Sequence, residues 1–398
     1  MTTTSAGSST VRSAESGASR KPFAERASLL ATGGLTKLVG AGVPSGTIDL
    51  ATGTPTWPAP PAAIVEQTVP VMRDEHHQYG HPDGDLELRT QIASWFRTPA
   101  DPATEVTITV GATEGLCLAL LTTVDPGDEV IVFEPCYENF LTAIRLAGGQ
   151  PRVVRTRPPH WRYDSAELAA AFGPRTRAIV LNTPANPTGR VLSEQEMREI
   201  GELCERWDVT IVSDEIYAEF VFDGRRHVSA ADLPETRSRS IVVGGLSKSH
   251  ALSGWRLGYL RAEAARTAVL RQVHIVTSGG AARPLQRSVA RAGVFDRTRW
   301  SAQAGLEKRR DRTVDIFRRF GMDCMPPEGG CYVVADIRGT TEMDSTAYVR
   351  QLMDQRRVFI VPGSLFFTGS GGEHLVRIAF NRALETLDAV DQRLQQLI

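Results

Sequence analysis

Short runs of β-branched and apolar residues alternate with helical stretches along the middle of the chain, from about Val106 onward. This order is typical of a mainly parallel sheet wrapped by helices, so the predicted fold class is α/β. The helix pattern is clearest at residues 193–207, where Ser193 followed by Glu196 predicts a capping box. The predicted strands of this seven-stranded sheet cover residues 106–110, 129–133, 152–155, 178–182, 210–213, 240–243 and 257–260.

The pattern changes after about Arg283, where a long helix-rich stretch leads to a second group of strands. These strands are predicted at residues 331–336, 358–361 and 375–379, and they indicate a smaller α+β domain. A chain of 398 residues, 41% of them hydrophobic, is too long for the usual single compact domain. The predicted division is a large domain of residues 59–283 and a small domain built from residues 23–58 and 284–398.

Residues 1–22 are expected to form a disordered leader. Ser, Thr, Ala and Gly dominate there, and too few large apolar side chains are present to offset the entropy of ordering. No apolar run approaches the roughly 18 to 20 residues that span a bilayer, and the N-terminus lacks the apolar core of a signal peptide. Five cysteines without CxxC spacing predict neither a disulfide framework nor a thiolate zinc site, which favours a cytoplasmic location.

The charge balance narrows the range of partners. Acidic and basic residues number 46 and 45, which leaves a formal net charge of -1. Without a strong overall field, no attraction to nucleic acid or to an anionic membrane is expected, and the expected partners are small molecules. The basic run Lys308-Arg309-Arg310 is interpreted as a solvated helix face rather than a binding patch.

A candidate nucleophile follows the predicted strand 240–243. Lys248 lies at a strand-to-loop junction and precedes Gly254-Trp255-Arg256. A lysine in such a place can be desolvated enough to act as an amine nucleophile. The Ser-Lys pair alone is far more typical of a surface lysine, so the assignment depends on its companions.

Asp214 is the most informative companion. It ends the apolar strand 210–213 and therefore lies at the carboxyl edge of the sheet, where ligands of open α/β folds bind. An unpaired carboxylate there would be costly, which implies a cationic partner. A protonated pyridine nitrogen is such a partner, and the carboxylate would favour the protonated form that makes the ring an electron sink.

Two further turns also follow predicted strands. The prolines on either side of Asn186 hold a rigid turn that can aim its amide into the same crevice. Gly111-Ala112-Thr113 lies between the strand 106–110 and the next helix, so its backbone amides and the helix dipole can bind an anion such as a phosphate. Either turn could also be an ordinary connection without a function.

Together these segments resemble the class I/II aminotransferases of fold type I, a large family of pyridoxal-phosphate enzymes. The resemblance runs from about Ile48 to Asn381. It implies a fold type I architecture, pyridoxal 5'-phosphate as cofactor, and transfer of the α-amino group of a free amino acid to a keto acid. Its most specific parts, in the family's order and spacing, are Asn186-Pro187-Thr188-Gly189, Ser213-Asp214-Glu215-Ile216-Tyr217, and Ser247-Lys248 with Gly254-Trp255-Arg256-Leu257-Gly258-Tyr259.

The resemblance implies roles for the residues around the cofactor ring. Lys248 would hold the cofactor as a Schiff base and shuttle a proton, and Asp214 would pair with the pyridine nitrogen. Tyr217 and Asn186 would bond to the ring hydroxyl oxygen. Tyr137, in the segment Glu134-Pro135-Cys136-Tyr137, would stack on the pyridine.

A second set of residues would bind the cofactor phosphate. Arg256 takes this role by resemblance, beside the amides of Ala112 and Thr113. Gly245 stands where the aspartate-specific branch has a phosphate-binding serine, and Ser247 is the weaker candidate to compensate for it.

Another match implies a homodimer with shared active sites. The stretch Gln78-Tyr79, followed by Gly84 and Leu88-Arg89, is similar to the family segment whose tyrosine reaches the cofactor phosphate of the neighbouring subunit. Tyr79 would therefore complete the site of a partner chain.

The expected substrate ligands lie near the two ends of the chain. By resemblance, Arg377 would grip the substrate α-carboxylate in a bidentate fork. Gly53 and Asn186 would also contact the substrate. Thr54 and Thr56 stand where many relatives carry acidic residues, so the substrate entrance is expected to differ.

The resemblance leaves the reaction and the substrate partly open. Transamination is the expected outcome, but other branches of the fold act as lyases, cyclases or oxidases of amino acids, some of them on arginine. The motifs are closest to the branch with arginine:pyruvate aminotransferases, which favours a substrate with a long or cationic side chain. Arginine oxidases of this fold are thought to use a histidine near the N-terminus, and none occurs here before His76, which favours transamination.

A non-enzymatic alternative is an aminotransferase-like effector-binding module fused to a winged-helix DNA-binding region. That interpretation needs a basic helix-turn-helix domain, and the stretch before Phe23 is too short and too polar to contain one. A non-catalytic homologue would also be expected to lose Lys248 or Asp214, whereas this chain has both. The sequence therefore favours an enzyme.

Overall fold

The computed structural model describes Gly34, Leu38 and residues 42–74 and 76–395. The predicted leader, residues 1–22, lies outside the described residues, as does most of the stretch 23–41.

Within the described residues, 3-10 turns lie at Ser253–Trp255 and Gly363–Phe366. The strands are β1 Ile48–Asp49, β2 Val106–Val110, β3 Glu129–Glu134, β4 Gln150–Arg155, β5 Thr176–Asn182, β6 Thr210–Asp214, β7 Ser240–Gly245, β8 Leu257–Ala262, β9 Asp323–Cys324, β10 Tyr332–Asp336, β11 Val358–Phe359, β12 Val361–Pro362 and β13 Leu375–Ala379. The helices are α1 Ala62–Arg73, α2 Leu86–Trp95, α3 Gly111–Leu121, α4 Glu138–Leu146, α5 Ser165–Ala171, α6 Glu194–Trp207, α7 Pro234–Arg237, α8 Leu246–Ser249, α9 Ala264–Thr277, α10 Arg283–Ala292, α11 Leu306–Arg319, α12 Ser345–Arg356 and α13 Leu384–Gln395.

Seven of the described strands form one sheet, called here the large sheet. Its spatial order is β2-β8-β7-β6-β5-β3-β4. Strand β8 runs antiparallel to both β2 and β7, and the other neighbouring pairs are parallel. The predicted α/β fold with a mainly parallel sheet is confirmed, and every strand of it except β2 extends one or two residues beyond its predicted bounds.

Side chains along the central strands alternate between two buried cores. One core lies between the sheet and helices α3, α4 and α9, and the other lies between the sheet and helices α5 and α6. Because both faces are covered, the strands are nearly continuous apolar runs rather than alternating polar and apolar residues. The first core contains Val130, Val180 and Val212, and the second contains Ile131, Ile179 and Ile211.

The capping box predicted at Ser193 is confirmed. The Ser193 hydroxyl accepts a hydrogen bond from the backbone N–H of Glu196 at 3.2 Å, and the Glu196 carboxylate accepts one from the backbone N–H of Ser193 at 2.8 Å. These two bonds satisfy backbone donors that would otherwise be unpaired at the helix start. They fix the beginning of α6 directly after the loop that carries Asn186.

The second group of strands forms an antiparallel sheet in the order β12-β13-β10-β9, called here the small sheet. The prediction of one strand at 358–361 is wrong, because β11 pairs with β1 in parallel whereas β12 pairs with β13. The apolar run from Val358 to Val361 gives no sign that the chain changes its partner at Ile360. A third core packs the small sheet against α11, α12 and α13, and it includes Leu50 and Ala51 from the N-terminal side.

The basic run on α11 is not a solvated face, which corrects the interpretation made from the sequence. Arg310 is 4% exposed, and its guanidinium donates two hydrogen bonds, of 2.8 and 2.9 Å, to the carboxylate of Asp223. Arg309 donates to the backbone oxygen of Arg382 at 2.8 Å. Both partners are distant in sequence, so the local pattern could not reveal them.

Two negative findings concern the described residues. None of the helices there combines the length and the apolar composition needed to cross a membrane. The same residues contain no cluster of three or more His, Cys, Asp or Glu side chains that could hold a metal ion.

Candidate active site

The described residues enclose a cavity of about 240 Å³ at the carboxyl ends of β5, β6 and β7. The first turn of α3 forms one side of it, and side chains of β10 and β13 close another. Of the predicted site residues, the cavity brings together Gly53, Ala112, Thr113, Tyr137, Asn186, Asp214, Tyr217, Ser247, Lys248, Arg256 and Arg377.

Asp214 lies at the end of β6 and is 8% exposed. Its carboxylate accepts a hydrogen bond from the backbone N–H of Ile216 at 3.1 Å, and no cationic side chain within the described chain forms a salt bridge with it. Burial raises the pKa of Asp214 to about 7, against the smaller opposing effects of the Ile216 N–H and of Lys248. A carboxylate in this environment is suited to pair with a cationic ligand group.

Lys248 lies on α8, which begins directly after β7. Its Nζ donates a hydrogen bond to the backbone oxygen of Gly53 at 2.8 Å. Burial lowers the pKa of Lys248, and the positive charges of Arg377 and Arg256 act in the same direction. A lower pKa increases the fraction of neutral amine, which is the nucleophilic form.

The loop after β5 is held by side-chain amides. Asn182 accepts a hydrogen bond from the backbone N–H of Asn186 at 2.7 Å, and its own Nδ2 donates to the backbone oxygen of Asp214 at 3.0 Å. The Oδ1 of Asn186 accepts from Arg377 at 2.9 Å. Asn186, which lines the cavity, is therefore held through both its backbone and its side chain.

Arg377 lies within β13 and is 3% exposed. Its Nη2 donates to the backbone oxygen of Ala51 at 2.6 Å, and its Nε has no partner among the described residues. The guanidinium carbon lies 4.1 Å from the ring centre of Tyr332 and 4.8 Å from that of Phe366. These contacts hold a guanidinium with unused donors at the cavity, as carboxylate binding requires.

The first turn of α3 forms an anion site together with Arg256. Gly111 has a φ of +73°, and a Cβ added there would lie 2.5 Å from Nη2 of Arg256. A Cβ added to Gly258 would lie 2.5 Å from the backbone nitrogen of Ala112. Glycine is therefore needed at both positions for the guanidinium, the helix start and β8 to lie so close together. Backbone amides at a helix start beside an arginine are a donor set that fits a phosphate.

Three tyrosines were predicted as site residues, and the structure places two of them at the cavity and one away from it. Tyr137 precedes α4, and its hydroxyl accepts a hydrogen bond from Asn139 at 2.7 Å. Tyr217 is 4% exposed and lies in the cavity wall. Tyr79 is 99% exposed on the single chain and does not line the cavity.

Some lining residues were missed in the sequence. The most notable is Tyr332, because its hydroxyl lies 3.3 Å from that of Tyr217. Its strand has an ordinary pattern, and the available signal was only a tyrosine near the start of the predicted strand 331–336, shortly after two glycines. The missed residues are Leu116, Asn139, Asn182, Ile216, Ser253 and Tyr332.

The polar groups that line the cavity fit a phosphorylated pyridine that carries a carbonyl group. The buried carboxylate of Asp214 matches a protonated ring nitrogen, and the amine of Lys248 matches a carbonyl carbon. The helix start with Arg256 matches a phosphate. Pyridoxal phosphate combines these three groups in one molecule.

Comparisons with known proteins identify the family of this chain. The model of the family described as aminotransferase class I and II matches residues 45–394. Aromatic-amino-acid aminotransferase 2 of Thermococcus litoralis is 31% identical over 362 residues, which cover 89% of this chain and 92% of that protein. Methionine aminotransferase of Escherichia coli is 29% identical over 355 residues, which cover 88% of this chain and 92% of that protein.

Solved structures give the same result. N-succinyldiaminopimelate aminotransferase from Mycobacterium tuberculosis is similar with a TM-score of 0.89 and 30% identity, over 94% of this chain and 99% of that chain. The finer resemblance to the arginine:pyruvate branch stays a prediction. The predicted family, the fold type I architecture, the cofactor and the aminotransferase activity are confirmed. The chain belongs to the class I and II aminotransferases and is a pyridoxal-phosphate-dependent enzyme.

Proposed function

We propose that this aminotransferase moves the α-amino group of a free amino acid to a keto acid through a Schiff base on Lys248. The supporting observation is that the buried Lys248 amine, the buried Asp214 carboxylate and the Arg377 guanidinium line one cavity. When bound, the cofactor supplies an electron sink for the electrons of a bond at the substrate Cα. The chain's own residues bind and orient the cofactor and the substrate, and they move the proton.

Lys248 is proposed to move the proton at the substrate Cα. Its lowered pKa supports this role, because a neutral amine can accept a proton and the resulting ammonium can return it. The backbone oxygen of Gly53, 2.8 Å from Nζ, gives the amine a defined position beside the cavity.

Asp214 is proposed to keep the ring nitrogen protonated. Two neighbours, Tyr217 and Asn186, are proposed to bond to the ring hydroxyl oxygen, and Tyr137 to stack on the ring. The raised pKa of Asp214 supports its role, because the carboxylate gains a partner when a protonated nitrogen lies beside it.

The cofactor phosphate is proposed to bind at the start of α3. The ligands would be the amides of Ala112 and Thr113, the guanidinium of Arg256 and, more weakly, the hydroxyl of Ser247. The close approach of Arg256 to Gly111 supports this assignment, since it gathers positive charge at the helix start.

The substrate α-carboxylate is proposed to bind Arg377 in a bidentate fork, with contacts to Gly53 and Asn186. The guanidinium is already held by Asn186 and Ala51, so little rotational freedom remains to be lost on binding.

For the substrate side chain we propose an amino acid that is long or cationic rather than acidic. The cavity lining from the described residues contains no arginine except Arg256 and Arg377, so it offers no second fork for a side-chain carboxylate. It also contains no carboxylate except Asp214, so a further carboxylate that recognises a guanidinium would have to come from outside this lining.

A homodimer with shared sites is proposed, in which Tyr79 reaches the phosphate of the partner chain. Apolar side chains exposed on the single chain support this, namely Ile275 at 51% and Val276 at 81%. They lie close to the loop of Tyr79, because His274 contacts the backbone oxygen of Pro82 at 3.2 Å. Sedimentation that finds a fully active monomer at nanomolar concentration would contradict the dimer.

The domain division and the location also remain proposals. The large domain would comprise residues 59–283, and the small domain would comprise residues 23–58 and 284–398. The third core supports this division, because Leu50 packs with residues from the C-terminal third of the chain. The cytoplasmic location rests on the cysteine usage of the sequence.

The first experiment maps the covalent link. The purified enzyme is reduced with borohydride and digested, and the pyridoxyl adduct is expected on Lys248. An adduct on any other residue would overturn the proposal.

The second experiment identifies the reaction and the substrate. Arginine, methionine, aspartate and aromatic amino acids are tested with and without pyruvate or 2-oxoglutarate, and the cofactor spectrum, ammonia and oxygen are followed. Turnover is expected only with a keto acid. Release of ammonia or use of oxygen without one would favour a lyase or an oxidase, and a clear preference for aspartate would overturn the proposed substrate class.

A further inference from the structure

Tyr332 of β10 touches three residues that the proposed function uses. Its ring centre lies 4.1 Å from the guanidinium carbon of Arg377, and its hydroxyl lies 3.3 Å from the hydroxyl of Tyr217. The same hydroxyl lies 1.9 Å from the place that a Cβ on Gly53 would occupy. Tyr332 is 3% exposed, so these contacts are shielded from solvent.

We propose that Tyr332 is a positioning residue with two separable effects. Its ring orients Arg377 for the substrate α-carboxylate. Its hydroxyl strengthens the hydrogen bond that Tyr217 donates to the ring oxygen of the cofactor. This inference rests on the proposed function.

The effect of the ring follows from strand register. Strands β10 and β13 are antiparallel neighbours, with Val334 opposite Arg377. Tyr332 lies two residues from Val334 and therefore on the same face, at the diagonal distance that aromatic and long side chains can span. The ring centre of Phe366 lies 4.8 Å from the same guanidinium carbon, so Arg377 lies in contact with two rings. Two aromatic contacts on a buried guanidinium limit its tilt and add cation–π attraction.

The effect of the hydroxyl follows from counting hydrogens. Tyr217 has a single O–H, and if it donates to the cofactor ring oxygen it cannot also donate to Tyr332. In the structure Tyr217 donates to Tyr332, so the bond between the two tyrosines would reverse, with Tyr332 as the donor, once Tyr217 donates to the cofactor. Successive hydrogen bonds polarise one another, so donation from Tyr332 makes Tyr217 the stronger donor.

The same series of hydrogen bonds determines whether the protonation midpoint of the Schiff base rises or falls. Donation from Tyr217 reduces the negative charge with which the ring oxygen holds the proton of the Lys248 Schiff base. Without the Tyr332 hydroxyl this donation weakens, and the Schiff base keeps its proton to higher pH. The protonation midpoint, read from visible absorbance, therefore rises when that hydroxyl is removed.

Two variants separate the two effects. Tyr332→Phe keeps the ring, so the spectral midpoint is expected to rise by roughly 0.5 pH unit or more while KM for the amino acid stays within about twofold. Tyr332→Leu also removes the ring, and KM is expected to rise by about three- to tenfold in addition.

A matched control and a double variant test the mechanism. Tyr348 of α12 is a buried tyrosine whose hydroxyl has no partner among the described residues, so Tyr348→Phe should leave the midpoint unchanged. In a Tyr217→Phe background, the further change Tyr332→Phe should add nothing, because the bond through which it acts is gone.

Each measurement either supports or overturns one part of the inference. An unchanged midpoint in Tyr332→Phe, or a shift that persists in the Tyr217→Phe background, overturns the inference about the hydroxyl. An unchanged KM in Tyr332→Leu overturns the inference about the ring. If borohydride still labels Lys248 in these variants, only this inference fails, whereas the absence of a Lys248 adduct in the unchanged enzyme would overturn the proposed function and this inference together.

Discussion

The large sheet and the small sheet supply the candidate site in different ways. In the large sheet, Asp214 is the last residue of β6, while Asn186 and Lys248 lie a few residues beyond β5 and β7. In the small sheet, Arg377 lies in the middle of β13 and Tyr332 opens β10. The first set therefore comes from the ends of parallel strands, and the second comes from within antiparallel ones.

This difference decides what a sequence reveals. At the end of a parallel strand, the apolar run stops at a polar, Pro or Gly residue, and the site residue is visible as part of a motif. In antiparallel strands, polar side chains are expected on one face anyway, so a buried arginine or tyrosine resembles an ordinary solvent-facing position. Both Arg377 and Tyr332 are nevertheless only 3% exposed.

The difference also predicts that the two sheets have different roles. The large sheet would hold the cofactor and the proton shuttle, and the small sheet would hold the substrate carboxylate. Variants of the large sheet should then remove the chemical step, whereas variants of the small sheet should mainly weaken substrate binding.

The largest effect is expected for Lys248→Ala. Removing the amine should lower kcat by at least about 10³-fold, because proton transfer by a positioned side chain alone contributes up to about 10⁴-fold and the covalent link is lost as well. The exposed Lys308 provides a control, and Lys308→Ala should leave kcat unchanged. Single-turnover kinetics measure both, and kcat above about a tenth of normal in Lys248→Ala would contradict the assigned role.

The next effect is expected for Asp214→Asn. Turnover should fall by about 10²-fold or more, because the neutral amide no longer favours the protonated ring nitrogen. A turnover near normal would mean that this carboxylate has only a structural role and that the large sheet lacks one of its proposed functions.

Asp214 also predicts a dependence of stability on pH in the cofactor-free protein. Its pKa is about 7 in the folded chain, above the usual 3.8, so the folded state holds a proton that the unfolded state releases. Stability from this group is therefore full below about pH 4 and is lost as the pH rises to about 7, by up to about 4 kcal/mol.

Denaturant unfolding at pH 5 and pH 8 measures this loss. It should be smaller in Asp214→Asn, which cannot ionise, and unchanged in the control Asp354→Asn, because Asp354 is exposed. An equal loss in the unchanged protein and in Asp214→Asn would show that other groups cause it.

A smaller effect, confined to binding, is expected for Arg377→Lys. A lysine cannot form the bidentate fork, so KM should rise by about 10- to 100-fold with a much smaller change in kcat. Arg338, which lies just beyond β10 of the same sheet and whose side chain is 70% exposed, is the control, and Arg338→Lys should leave KM unchanged. A fall in kcat without a change in KM would contradict the proposal that the small sheet mainly serves substrate binding.

Much of the fold was predictable because its signals are local. The capping box at Ser193 needs only two residues three positions apart, and the strands of the large sheet are apolar runs between turn residues. The failures have the opposite character. The pairing of Arg310 with Asp223 joins residues 87 apart, and the change of partner between β11 and β12 depends on strands elsewhere in the chain.

The candidate site follows the same rule. Asp214 could be found from the sequence because a carboxylate ended an apolar strand, whereas Arg377 was assigned only through a family resemblance. Tyr332 was missed altogether, because its importance depends on the register that places it diagonally from Arg377 and on the hydroxyl of Tyr217, which lies in the turn after β6.

The smallest effect is expected for Tyr79→Phe, and it tests whether a third region completes the site. Loss of one hydrogen bond to the cofactor phosphate should weaken cofactor binding by about fivefold. Because Tyr79 is 99% exposed and lies outside the cavity of its own chain, it should serve the partner's site.

A mixed dimer of one Lys248→Ala chain and one Tyr79→Phe chain separates the two possibilities. Only the Tyr79→Phe chain can form the Schiff base, so visible absorbance reports cofactor binding at that chain's site alone. If tyrosines cross the interface, that site receives an intact Tyr79 from the Lys248→Ala chain, and its affinity should equal that of the unchanged enzyme. If each tyrosine serves its own chain, the affinity should be as weak as in the Tyr79→Phe homodimer, and the two sheets of one chain would then contain the whole site.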